Sequence, residues 1–338
     1  MIVNKNNKER KKSIYFGIQI LRIILSFNIV VNHCLNKKHQ NKLIYILCIK
    51  GISFYVPIFF LISFYFSYKL FKSRDVTKLK ERLLRISIPY LFWPIIMWYK
   101  YSFFNISSNS NKYRFLFYQL IIGKPYHPVF WFQFCLLFWS IVFIILIFSF
   151  KSTYNSIFLF IIIIILFLNQ FGYTNKFFQN YNSIISRSVK ELFITILYIE
   201  TGYFFGLFNV LDKSLCFKFA IILISSIGAF LIKSSINNIK LYTYFIEFIS
   251  NIVFIFFSFS FFDFIKNKNF ASLIQQLASY TGGIYYLHWE VKHRTLNNLD
   301  LVKKGNFLSC IFIYLLCFFF CFFSFKIFKN SKLRYLFI

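Results

Sequence analysis

Charged side chains are scarce in this chain, and acidic ones are the scarcest. Only 10 of its 338 residues are Asp or Glu, and 14% carry a charge of either sign, against about 25% in an ordinary soluble domain. Hydrophobic residues make up 58% of the sequence and aromatic residues 24%. This composition excludes a water-soluble globular domain and indicates an integral membrane protein of the helical type.

The motifs of several familiar catalytic classes are also missing. The sequence has no glycine-rich phosphate loop, no HExxH, no GxSxG and no cluster with metal-ligand spacing. The seven cysteines are an odd number, and most lie in apolar stretches, so we interpret them as small buried hydrophobic residues. We therefore expect neither a metal site nor a hydrolase of these classes.

Long polar segments are absent as well. No predicted loop exceeds about 25 residues, and no linker rich in Pro, Gly or Ser appears. The net charge of +29 thus has no soluble domain on which to form a basic patch for nucleic acid. Part of it instead sets the orientation of the chain in the membrane. We expect membrane lipid, and not nucleic acid, as a partner, and the sequence leaves the oligomeric state open.

Apolar runs of about 20 residues, by contrast, recur along the whole chain. They predict an all-α, polytopic helix bundle of about ten transmembrane helices in one domain over 1–338, without a soluble domain. The predicted spans are residues 14–35, 44–68, 86–104, 128–149, 155–171, 190–210, 214–232, 242–264, 274–296 and 306–328.

Basic residues near the predicted span ends suggest the orientation. They cluster in the head 1–13, in the segment between the second and third spans, and in the tail 329–338, whereas the first connecting loop has few. Because Lys and Arg favour the cytoplasmic side, both termini are expected in the cytoplasm. The protein is accordingly expected to be a multi-pass protein of the plasma (inner) membrane.

The first predicted span holds two residues that hydrocarbon tolerates poorly, Arg22 and His33. A charge at mid-helix costs roughly 2.5–3.5 kcal/mol on insertion scales, which makes such a residue a functional-site hypothesis. Eleven residues of helix place both side chains on one face, roughly 16 Å apart. His33 is a candidate general base at neutral pH. The alternative is an interfacial His with an Arg that snorkels to the headgroups.

A pair of arginines precedes the third predicted span. Arg82 and Arg85 share a helix face at three-residue spacing. Guanidinium groups suit phosphate oxygens, so the pair is a candidate phosphate-binding fork. The alternative is a juxtamembrane basic run that sets topology and contacts anionic lipid. Two acids inside later spans, Glu200 and Glu247, are possible buried charge partners for Arg22.

Taken in chain order, these elements resemble the membrane-bound acyltransferase-3 family. Arg22 followed by His33 is similar to its first span, and VPIFFLISFYFS is similar to its second. Arg82-Leu-Leu-Arg85 with PYLFW after it resembles the family's R-x-x-R segment. Trp131-Phe132 is similar to its W-F, and SYTGGIYYLHW to its S-x-G-I-Y-x-x-H element. The resemblance extends over the whole chain and implies the family's ten-span domain.

The resemblance implies a transmembrane O-acyltransferase. It implies transfer of an acyl group, with acetyl the favoured one, from cytoplasmic acyl-CoA to a hydroxyl of an extracytoplasmic or lipid-linked carbohydrate. Arg82 and Arg85 would then hold the CoA phosphates, and Arg22 the thioester arm. His33 would deprotonate the acceptor hydroxyl or transiently carry the acyl group. Candidates for binding the acceptor are Trp131, Tyr285 and His288.

Two positions depart from the family pattern. Gln19 stands where the family usually has Asp, and Phe64 stands where it usually has Gly. The departures motivate one alternative, a catalytically degenerate member of the family. A second alternative is a membrane exporter of a small acid or glycan, in which Arg22, Glu200 and Glu247 form a polar pathway.

Overall fold

The protein is helical throughout the part of the chain that the structure describes. A computed structural model describes residues 16–35, 55–104, 130–149, 184–210, 213–214, 216–221, 223–224, 256–259, 262, 268–292 and 306–337. Within those ranges it contains no strand. The helices are α1 (Phe16–Cys34), α2 (Tyr55–Ser73), α3 (Val76–Phe104), α4 (Phe130–Ser149), α5 (Ile184–Leu207), α6 (Lys268–Ser279), α7 (Thr281–Glu290) and α8 (Phe307–Ile327), followed by a 3-10 helix at Lys332–Leu336.

The predicted membrane class is confirmed by three of the described helices. The segments Phe16–Cys34, Trp131–Ser149 and Phe307–Ile327 are each long and apolar enough to cross a membrane. They match the first, fourth and tenth predicted spans. The predicted fifth span, 155–171, lies outside the described residues, as do most of the seventh and eighth.

Helix α3 begins ten residues before its predicted span. The Asp75 carboxylate accepts a hydrogen bond from the Lys78 backbone N–H at 3.2 Å and caps the helix there. The Lys78 ammonium lies 2.9 Å from the same carboxylate. Hydrogen bonds from Lys78 lower the pKa of Asp75 below its usual value. As a result, Arg82 and Arg85 lie on a helix that is continuous with the apolar segment.

The ninth predicted span differs from a single helix, because the backbone breaks at Tyr280 between α6 and α7. The Tyr280 N–H bonds to the Leu277 carbonyl three residues back, at 3.2 Å, which tightens the turn. Gly282 and Gly283 follow after Thr281, and glycine is a poor helix former. Hydropathy predicts the length of an apolar segment but does not record this change in backbone bonding.

The chain divides into two compact units. The first comprises 1–62, 208–324 and residue 338, and the second comprises 63–207 and 325–337. In the first unit, α1 packs against α6 and α7. Rings from α1 and α8 also meet, since Phe27 and Tyr314 lie 5.3 Å apart, and the Tyr314 hydroxyl is 3.0 Å from the Ser26 hydroxyl.

In the second unit, α3 packs against α4 and the 3-10 helix, and α4 packs against α5. The Trp139 indole of α4 donates to Thr195 Oγ1 of α5 at 3.2 Å. Helix α5 also approaches α2 closely at Gly206. A Cβ at that position would lie 2.5 Å from Tyr68 Cβ and 2.9 Å from the Tyr65 carbonyl oxygen. Only glycine permits this approach.

Candidate active site

Arg22 of α1 is bound on both ends of its guanidinium by polar side chains. Its Nη1 donates to Gln19 Oε1 at 3.1 Å, and its Nη2 donates to Thr281 Oγ1 of α7 at 3.3 Å. The Thr281 hydroxyl in turn donates to the Ala278 carbonyl at 2.9 Å. These hydrogen bonds offset part of the free-energy cost of burying a charged guanidinium, and they hold Arg22 against the start of α7.

Gln19 gives Arg22 a hydrogen bond without a negative charge. An aspartate at this position, as in the family pattern, would supply a carboxylate to the guanidinium. The amide oxygen of Gln19 accepts a hydrogen bond from Arg22, as a carboxylate oxygen would, but the amide carries no charge to neutralise the guanidinium. The departure therefore keeps Arg22 positioned but supplies no negative charge to balance the guanidinium.

His33 lies at the other end of α1, against the far end of α7. Its ring centroid is 5.2 Å from that of His288, and it meets the Trp289 ring edge to face at 5.4 Å. The Lys292 ammonium donates to the His33 backbone carbonyl. His33 itself is half-buried. The sequence predicted His33 and His288 separately, and the structure brings the two rings together.

The buried His288 is held in a defined orientation by its own helix. Its Nδ1 lies 3.2 Å from the Ile284 carbonyl oxygen. Because a carbonyl only accepts, Nδ1 carries the proton in this arrangement, and the lone pair of the neutral ring is on Nε2. Tyr285, the other residue predicted on this helix, lies 6.2 Å from His288 between ring centroids.

Arg82, in the second unit, is enclosed by aromatic rings and serines. Its guanidinium carbon lies 5.4 Å from the Phe64 ring centroid and 5.6 Å from that of Phe71. Its Nη2 donates to Ser63 Oγ at 3.2 Å and to Ser140 Oγ at 3.3 Å. Cation–π contacts and hydrogen bonds together hold this guanidinium inside the helix packing.

Arg85, one turn along α3, faces solvent. Its side chain is 59% exposed, and its Nη2 lies 3.7 Å from the Glu81 carboxylate. Its guanidinium also lies 5.6 Å from the ring centroid of Tyr335 in the 3-10 helix. The two arginines of the predicted fork therefore have different surroundings, one enclosed and one accessible.

The comparisons with known proteins identify the family of the chain. The family model described as an acyltransferase domain matches residues 15–323. This chain belongs to the acyltransferase domain family. No curated protein and no solved structure matches it significantly. The matched range includes every site residue predicted from the sequence and ends before the 3-10 helix.

The remaining predicted residues of this acyltransferase are Trp131 and Glu200, which belong to the second unit, and Glu247. Trp131 is half-buried near the start of α4. Glu200 is buried on α5, and neither of its carboxylate oxygens has a hydrogen bond among the described residues. Glu247 lies outside the described residues. The pairing of Arg22 with either acid stays a prediction.

Several residues that complete these sites were not predicted from the sequence. Thr281, Ser63 and Ser140 give hydrogen-bond acceptors to the two enclosed arginines of the acyltransferase. Thr281 and Ser63 lie inside the quoted motifs SYTGGIYYLHW and VPIFFLISFYFS, so the motifs themselves were the available signal. Ser140 lies in an apolar helix, and nothing in the local sequence distinguishes it.

Proposed function

We propose that this protein is a transmembrane O-acyltransferase. It moves an acyl group, with acetyl the favoured one, from cytoplasmic acyl-CoA to a hydroxyl of an extracytoplasmic or lipid-linked carbohydrate. It acts in the plasma (inner) membrane with both termini in the cytoplasm. Membership of the acyltransferase domain family supports the reaction class, and the donor, acceptor and direction belong to the proposal.

The observation that carries the proposal is the double contact between α1 and α7. Arg22 reaches Thr281 at one end of these helices, and His33 lies beside His288 at the other. Both pairs join a motif near the start of the chain to a motif near its end. A cation and a titratable imidazole are thereby fixed on one helix face, roughly 16 Å apart along the axis.

His33 acts as the general base in this proposal. An imidazole is partly neutral near pH 7 and is able to accept the proton of an acceptor hydroxyl as that oxygen attacks the thioester carbonyl. The carbon–sulfur bond of the thioester then breaks, and CoA leaves as a thiolate that takes up a proton to become the free thiol. His288 and Trp289 flank the ring and limit its orientations. Arg22, roughly 16 Å from His33 along the helix axis, is too far away to contact the same carbonyl and instead holds the extended arm of the donor deeper in the protein.

The second unit binds the donor in this proposal. Arg85 is exposed and offers its guanidinium to the phosphates of acyl-CoA. Arg82 holds α2, α3 and α4 together through Ser63, Ser140 and the Phe64 ring, and so positions Arg85 one turn away.

The candidate contacts to the carbohydrate acceptor are Trp131, Tyr285 and His288.

The test is acyl transfer by the purified protein in liposomes, supplied with labelled acetyl-CoA and a lipid-linked carbohydrate. His33→Gln keeps the size and a hydrogen-bonding group but removes the base, so transfer is expected to drop by at least about a hundredfold. Asn32→Ala, the preceding residue on α1, serves as the control and is expected to stay within about twofold. Equal transfer by wild type and His33→Gln would contradict the role of His33.

A second candidate function is export of a small acid or glycan. Its support is Glu200, a buried carboxyl group on a helix of a membrane protein. An exporter moves its substrate without consuming acyl-CoA. Substrate movement across the liposome membrane with no release of free CoA would favour export over acyl transfer.

A further inference from the structure

The C-terminal segment is packed onto α3 through apolar residues. Tyr335, Leu336 and Phe337 are each no more than 6% exposed. The Phe337 ring stacks on Phe328 at 5.9 Å and meets Trp93 of α3 edge to face at 6.4 Å. The segment follows residue 323, where the family match ends, and it packs on a helix that lies within the matched range.

The packing places two arginines around one tyrosine ring. The guanidinium carbons of Arg85 and Arg334 lie 5.6 and 5.2 Å from the Tyr335 ring centroid. The Arg334 Nη2 also donates to the Tyr335 hydroxyl at 3.4 Å. Hydrogen bonding from Arg334, and from Arg85 to a smaller extent, lowers the pKa of the Tyr335 phenol. Both guanidinium groups are thus oriented by the same side chain.

The cluster has more positive than negative charge. Two guanidinium groups near one ring repel each other. A carboxylate lies near one of them, since Glu81 is 3.7 Å from Arg85. Lys329 and Lys332 are exposed on the same segment. A bound anion would relieve the repulsion. Arg334 already donates from Nη1 to the Lys329 carbonyl at 3.2 Å and from Nη2 to Tyr335, and the other N–H groups of its five are the ones it has to offer an anion.

We propose that Arg85, Arg334 and Tyr335 form a binding site for phosphate groups, occupied by the nucleotide end of the acyl-CoA donor. The occupant rests on the proposed function. Arg82 is engaged by Ser63 and Ser140, so Arg334 supplies the second arm of the phosphate-binding fork. The C-terminal segment is then part of the donor site, with Tyr335 holding the two guanidinium groups at a fixed separation.

The experiment is binding of CoA and of adenosine 3′,5′-bisphosphate to the full chain in nanodiscs of phosphatidylcholine. Arg334→Gln removes the positive charge and the paired N–H donors of the guanidinium, and it is expected to weaken binding of both compounds about tenfold. Lys332→Gln changes charge equally on the same segment and is expected to stay within about twofold. Glu81→Gln removes the competing carboxylate and is expected to strengthen binding.

An anionic lipid headgroup has the same chemistry, and a second arm separates it from the donor. Retention of phosphatidylglycerol by the same variants is measured by native mass spectrometry. If Arg334→Gln loses lipid but binds CoA normally, the assignment to the donor is overturned. If Arg334→Gln and Lys332→Gln behave alike towards both ligands, the phosphate site itself is overturned.

Folding and the proposed function are controlled separately. Arg334→Lys keeps the charge without the planar fork and is expected to bind CoA with intermediate affinity, so the test still stands if Arg334→Gln does not fold. Failure of the wild type to bind CoA would overturn the proposed donor. Normal CoA binding and acyl transfer by Arg334→Gln would overturn this inference alone.

Discussion

Phe64 shows how a single departure from a family pattern is accommodated. A glycine at this place would remove one of the two rings that contact Arg82, since the Phe64 ring lies 5.4 Å from the guanidinium and the Phe71 ring 5.6 Å from it. The Phe64 ring also lies 5.1 Å from the Phe143 ring. The residue is fully buried. From the sequence, Phe64 is a departure from the family pattern, and the structure identifies its ring as part of the support for Arg82.

Replacement of Phe64 tests that support. Phe64→Gly is expected to destabilise the protein by about 3–5 kcal/mol, because it empties a buried ring site. Phe64→Leu keeps most of the volume and removes the cation–π contact, so it is expected to cost about 0.5–2 kcal/mol. Thermal unfolding in detergent and acyl transfer are measured on both variants.

The result also addresses the degenerate-member alternative. That alternative expects Phe64→Gly to gain acyl transfer that the wild type lacks. The role of Phe64 as support for Arg82 expects the reverse, with transfer and thermal stability both decreasing from wild type to Phe64→Leu to Phe64→Gly.

At the scale of helices, the close contact of α2 and α5 depends on one position. Gly206→Ala would place a Cβ 2.9 Å from the Tyr65 carbonyl oxygen, which belongs to backbone and does not move easily. We expect a loss of about 1–3 kcal/mol through displacement of α5, seen as a lower unfolding temperature. The double variant Gly206→Ala/Tyr68→Gly removes the nearest atom, Tyr68 Cβ, and its loss is expected to be smaller than the sum of the single losses.

Additive losses would contradict a direct contact between positions 206 and 68. The Phe208→Ala variant changes an exposed residue just beyond the same helix. It is expected to change stability by less than about 0.5 kcal/mol, and it therefore serves as the reference.

The helices were predicted from the sequence with different success. Apolar length and a low number of charges were sufficient to predict α1, α4 and α8, because a membrane span needs little else. The start of α3 at Val76 and the break at Tyr280 depend on an Asp75 cap and a local backbone bond. Both are short-range polar effects that a hydropathy window averages away.

At the scale of the whole molecule, the sequence identified residues and the fold supplied their neighbours. Arg22, His33 and His288 were predicted from their types and from a family pattern. That Arg22 bonds to Thr281, and that His33 lies beside His288, required contacts across 259 and 255 residues of chain. Such pairings depend on helix packing, which a single sequence does not encode in any local pattern.

The two hydrogen bonds between α1 and the α7 segment have a consequence for membrane topology. Arg22 with Thr281 and Lys292 with His33 are each 259 positions apart. A constant offset over eleven residues means that the two helices run side by side in the same direction. Two parallel spans in one chain must be separated by an odd number of other membrane crossings. The sequence predicts seven spans between the first and the ninth, and seven meets this requirement.

Side-specific labelling tests this parity in a cysteine-free background. Lys38→Cys follows the first span and Asn298→Cys follows the ninth, so an impermeant maleimide is expected to label both from one side of sealed vesicles. Lys80→Cys, before the third span, is expected to react from the other side. Labelling of positions 38 and 298 from opposite sides would contradict a parallel pair. Labelling from one side would mean that the chain crosses the membrane an even number of times between those two positions.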